Sequence, residues 1–100
     1  MPKAHIDIPK EKIAGFCRRN HIRKLSLFGS VLRDDFGPES DVDALIEFEE
    51  GRVPGLITLS DMEIELSGII GHKADLRTPE DLGIYFRKEV VESADVQYAA

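Results

Sequence analysis

The chain is expected to fold as an α/β (α+β) domain: a small mixed β-sheet with helices packed on one face. Three observations lead there. Apolar residues recur at helical spacing in stretches near residues 9–20, 54–70 and 84–93. Between them, runs near 24–28, 41–49 and 72–77 alternate at the period of a strand. The strongest turn formers, Gly29-Ser30, Gly37-Pro38 and Gly71, fall at the junctions. One hundred residues make one domain, 1–100, with a single modest core. No internal repeat, low-complexity tract or linker divides it.

The first helix starts at Pro9, a residue suited to the first helical position. Ile13, Phe16 and Cys17 form its apolar face, with Lys12, Arg18 and Arg19 outside. The first strand, Lys24–Phe28, turns Leu25 and Leu27 to one side. Residues 30–34 are expected to form one short helical turn capped by Ser30, followed by a loop, Asp35–Ser40. In the second strand, Val42, Ala44, Ile46 and Phe48 make the core face. Asp41, Asp43, Leu45 and Glu47 then lie on the opposite, more open face. The middle helix places Leu56, Leu59, Met62, Leu66, Ile69 and Ile70 on a stripe with Glu63 at its edge. Ser60 and Glu63 also fit a capping box, and Gly71 a C-cap. The third strand turns Ala74 and Leu76 inward and Lys73, Asp75 and Arg77 outward. Thr78-Pro79-Glu80-Asp81 is a helix start, leading to a last helix with Phe86, Val90 and Val91. Tyr98 is expected to dock back on the core. The loop between the first two strands is too short for a crossover helix, so they should run antiparallel.

Composition narrows the function classes. The chain is 42% hydrophobic and 32% charged, with a formal net charge of −6. That balance argues against recognition of nucleic acid through its phosphates, which needs clustered Lys and Arg. It suits metal ions and a basic protein partner. The single cysteine, Cys17, excludes an internal disulfide and reads as a small core residue. Residues 1–5 lack the apolar stretch of a signal peptide. No apolar run approaches the roughly 18 residues of a membrane span. A cytoplasmic protein with no membrane contact is the expectation. His5, His21 and His72 have no ligand spacing and read as surface or capping residues, and Glu49, Glu50, Glu63 and Glu65 as solvated faces.

The chemistry concentrates in Gly29–Asp43. Asp41 and Asp43 sit two apart at the start of an apolar strand, so both carboxylates project to one side. Like charges so placed repel unless a cation lies between them. Hard divalent ions such as Mg²⁺ take oxygen ligands and leave positions for phosphate. Gly29-Ser30 follows a strand, where a turn can present backbone N–H groups to phosphate and the Ser30 hydroxyl can donate to it. Arg33 is placed to neutralise triphosphate charge. If the third strand lies beside the second, Asp75 approaches the pair. Three carboxylates can then hold two metal ions about 3.5–4 Å apart. Asp75 would serve as general base or as ligand to an ion that activates the nucleophile.

The segments Leu27-Phe28-Gly29-Ser30-Val31-Leu32-Arg33 and Ser40-Asp41-Val42-Asp43-Ala44-Leu45-Ile46 resemble the signature of minimal nucleotidyltransferases of the DNA polymerase β superfamily. The resemblance continues through Ile69–Leu76 and Thr78–Glu80, and covers roughly residues 10–95. It implies a nucleotidyltransferase fold, with Asp41, Asp43 and Asp75 as catalytic metal ligands and Gly29 and Ser30 as the phosphate-binding pair. Asp34 departs from the pattern, standing where the family often has Gly and adding negative charge beside Arg33. Short single-domain members resemble antitoxins paired with a HEPN-domain RNase toxin, to which they transfer AMP from ATP at a tyrosine. The implied cofactors are two Mg²⁺ ions, with ATP as substrate and the toxin as partner. Two alternatives stand beside this reading: neutralisation of the toxin by binding alone, and transfer to a small-molecule acceptor. A homo-oligomer is left open, since Ile84, Tyr85 and Tyr98 suit either an interface or the core.

Overall fold

The computed structural model describes residues 6–34 and 36–100. The expectations for His5 and for Asp35, the first residue of the motif loop, lie outside the described residues. The chain runs α1 (Lys10–Arg19), β1 (Ile22–Phe28), a 3-10 turn (Gly29–Leu32), β2 (Val42–Phe48) and α2 (Leu56–Ile70). It continues through β3 (Ala74–Arg77), a second 3-10 turn (Pro79–Asp81), α3 (Ile84–Ser93) and β4 (Asp95–Ala99). The strands form one mixed sheet in the order β3-β2-β1-β4. β1 is antiparallel to both β2 and β4, as a short connection allows for the first pair. β3 runs parallel to β2, and α2 supplies the crossover that a parallel pair requires.

The alternation read in the strands determines the two faces. Leu25 and Leu27 of β1, Val42, Ala44 and Ile46 of β2, and Ala74 and Leu76 of β3 bury one face. Ile13, Phe16 and Cys17 of α1 and Met62, Leu66 and Ile70 of α2 cover it. Burial pushes the Cys17 thiol up to about 12, with Arg18 opposing the shift, as suits a cysteine that serves as a small apolar residue. A second, smaller cluster lies on the reverse face, where Phe28 and Leu45 meet Leu82 and Val90. The face bearing Asp43 is therefore open at one end and roofed by α3 at the other.

Several local expectations change. Tyr98 does more than dock on the core: it belongs to β4, a strand paired to β1, where it lies opposite Leu25 and packs partly on the core. Leu56 leaves the core stripe: it is 83% exposed, because the buried face of α2 narrows to Met62, Leu66 and Ile70. α2 begins at Leu56, so Ser60 is no cap, while Gly71 closes the helix in the left-handed region at φ 73°. Thr78 and Asp81 form the capping box of a 3-10 turn, not of α3 itself. Glu63 is not a solvated residue. Its Oε2 accepts from the Leu76 N–H at 2.9 Å, and the Ser67 hydroxyl oxygen accepts from the Ala74 N–H at 2.8 Å. These two side chains satisfy outward donors of edge strand β3. Glu65 pairs with Arg19 and ties α2 to α1. His72 packs its ring against Phe36, with centroids 5.2 Å apart, and braces the motif loop.

Candidate active site

Gly29, Asp43 and Asp75 are brought together by strand pairing. Phe28 lies opposite Asp43 in the antiparallel β1–β2 ladder, so the turn after β1 starts beside that aspartate. Gly29 takes φ +76°, a conformation that L side chains resist. A Cβ there would stand 2.5 Å from Asp43 Oδ2. Glycine is needed twice over: for the turn, and to let the backbone approach the carboxylate. The expected cap role of Ser30 is not realised, since Phe28 occupies the N-cap position and Ser30 lies inside the turn. Its hydroxyl instead donates to the Asp41 carbonyl oxygen at 3.2 Å, fastening the turn to the start of β2. A hydroxyl has one proton to donate, so donation to a phosphate requires release of Asp41.

Asp43 and Asp75 are register partners in the parallel β2–β3 pair and lie on the same face. Adjacent strands are about 4.8 Å apart, so the two carboxylates are near neighbours. The Asp43 carboxyl is held above the usual carboxylate range, first by burial and then by the negative charge of Asp75, with Asp41 adding to it. Arg77 and Arg33 act in the opposite direction. Arg77 Nη2 lies 3.8 Å from Asp75 Oδ2. Among the described residues, no three His, Cys, Asp or Glu side chains are gathered as a ready metal-binding group. The donor chemistry nevertheless fits a hard cation: carboxylate oxygens from adjacent strands, with one carboxyl disfavoured in its charged form by its neighbours.

A cleft of about 700 Å³ opens over this corner, within the range of small-ligand sites. Gly29, Ser30, Arg33, Asp43 and Arg77 line one side of it. Asp41 is exposed at the mouth of β2, and Asp75 lies on the neighbouring strand. Arg77, expected only to point outward from the third strand, also lines the cleft. Its signal in the sequence was its position two residues on along one strand, which places it on the same face. The contribution of α3 to the opposite wall had no comparable local signal.

The model of the nucleotidyltransferase domain matches residues 10–96. The chain belongs to the nucleotidyltransferase domain family. It is 28% identical over 85 residues to a Methanocaldococcus jannaschii protein provisionally named a protein adenylyltransferase, a match covering 85% of this chain and 89% of that one. It is 36% identical over 55 residues to the protein adenylyltransferase MntA of Thermococcus cleftensis, covering 55% and 54% of the two chains. The fold is shared with a crystal structure of a toxin–antitoxin with AMP-PNP, at a TM-score of 0.73 and 18% identity, covering 93% of this chain and 75% of that one. As a nucleotidyltransferase, the chain has its Gly-Ser turn and Asp-x-Asp strand where the cleft opens. Among the described residues, no helix is long and apolar enough to cross a membrane.

Proposed function

We propose that this nucleotidyltransferase is a cytoplasmic, Mg²⁺-dependent protein adenylyltransferase. It moves AMP from ATP onto a tyrosine hydroxyl of a partner HEPN-domain RNase toxin and thereby acts as the toxin's antitoxin. The observation that carries this reading is the register pairing of Asp43 with Asp75 beside the Gly29 turn. Asp41, Asp43 and Asp75 would hold the ions, which when bound offset triphosphate charge and lower the pKa of the attacking hydroxyl.

The rest falls to the chain's own groups. The Gly29-Ser30 turn cradles phosphate with backbone N–H groups, and Arg33 and Arg77 add positive charge along the cleft. Asp75 takes the tyrosine proton as that oxygen bonds to the α-phosphorus. The bond from the α-phosphorus to the bridging oxygen breaks, and pyrophosphate leaves. The names of the relatives support protein as the acceptor. So does the exposure of Ile84 and Tyr85, 79% and 97%, next in sequence to the cleft residue Phe86. A net charge of −6 favours rapid encounter with a basic RNA-cutting surface.

The test is incubation with α-labelled ATP, Mg²⁺ and the HEPN toxin. Label is expected on the toxin, lost with Asp41→Asn or Asp43→Asn. A toxin that stays unlabelled, or labelling indifferent to Asp41→Asn, overturns the proposal. Neutralisation retained by an unlabelling Asp43→Ala variant would assign the effect to occlusion instead.

A further inference from the structure

The geometry points to α3 as the nucleobase wall of the cleft, with Phe86 stacking on the base and Glu89 accepting an N–H from the adenine exocyclic amine. This rests on the reading of ATP as the nucleotide donor. Phe86, Glu89, Val90 and Ser93 recur at i, i+3, i+4 and i+7, so one stripe of α3 faces the cleft, and all four line it. The positive groups, Arg33 and Arg77, belong to the β1–β2 connection and to β3. A triphosphate drawn to them and to the Gly29-Ser30 turn leaves its base for α3. The acid at Glu89 disfavours the reverse orientation.

Phe86 is a cleft-lining aromatic that the core leaves 52% exposed. A base has a π-face on which such a ring stacks. The α3 stripe also offers acceptors rather than donors. The Ser93 hydroxyl spends its proton on the Glu89 carbonyl oxygen, at 2.8 Å, within its own helix. The Glu89 carboxylate has no hydrogen-bond or ion-pair partner among the described residues. An acceptor-only wall rewards a base that presents an amine and leaves a base lacking one unmatched.

The test compares equilibrium binding of ATP and purine riboside triphosphate, which lacks the amine, to the full chain with Mg²⁺. Wild type is expected to bind ATP roughly tenfold more tightly, and Glu89→Ala to bind the two alike. Phe86→Ala is expected to weaken both about tenfold, with Phe86→Leu, which keeps the apolar bulk, also weakened. Both side chains are exposed, and circular dichroism checks that the variants fold. Equal binding of the two nucleotides by wild type, or an ATP preference that survives Glu89→Ala, overturns the assignment of Glu89. Unchanged binding by Phe86→Ala overturns the stacking role. Failure of wild type to bind any nucleoside triphosphate overturns the donor reading as well, and so separates the two.

Discussion

Gly29 shows how one residue links local conformation to the site. Its positive φ and its closeness to Asp43 Oδ2 both exclude a side chain. Gly29→Ala is expected to cost about 2 kcal/mol of stability from backbone strain and to displace the Asp43 carboxylate. Thermal unfolding and nucleotidyl transfer should fall together. Asp43 carries the opposite signature, a residue that lowers stability where it stands. Its folded-state carboxyl titrates above the ordinary range. The protonated form is thus favoured by folding, and that contribution is present at low pH and lost as pH rises through the folded-state pKa. Asp43→Asn should raise the melting temperature at neutral pH, with the gain shrinking as pH falls below the carboxylate range, while transfer is abolished. Melting curves across pH read the sign directly. An equal or lower melting temperature for the variant at pH 7 would contradict it.

Among the elements, β3 is the most dependent on others. It is four residues long, lies at a sheet edge, and carries Asp75. Its parallel partner β2 holds one side, and Ser67 and Glu63 of α2 hold donors on the other. Glu63→Ala leaves the Leu76 N–H without its acceptor and should cost about 1–3 kcal/mol. Glu63→Gln keeps an acceptor oxygen and should recover most of that loss. Amide exchange at Leu76 is the measurement, since opening of β3 alone would accelerate it before global unfolding. The strand itself was legible from the alternation of Ala74 and Leu76 with Asp75. Its dependence on Glu63 was not, because a glutamate on the edge of a helical stripe looks the same whether it meets water or a strand. β4 has no local signal of its own for a related reason. Five residues of mixed polarity acquire strand character only by pairing with β1.

Across the whole molecule, the main core lies on one face of the sheet and the cleft on the other, so the two sets of residues barely overlap. Cys17 reports on the integrity of the core. Its thiol is buried and raised to about 12, from an ordinary value of 9.0. Folding therefore favours the protonated thiol. This contribution is intact below pH 9.0 and is lost as pH rises toward 12. The native protein should resist alkylation at pH 8 and react only on unfolding, whereas rapid labelling under native conditions would place Cys17 outside the core. The asymmetry also accounts for α3, whose outer apolar residues are exposed while Leu82 and Val90 close the second cluster.

The order of elements from α1 to α3, the core faces of β1, β2 and β3, the Gly-Ser turn and the Asp-x-Asp pair are all legible in the chain, because periodicity and turn chemistry act within a few residues. The neighbourhood of Asp43 and Asp75, 32 positions apart (75 − 43), depends on which strands pair and in what register. The cleft depends on where α3 settles over Phe28 and Leu45. Those outcomes follow from burying all the apolar faces at once, a condition that no short stretch of sequence contains.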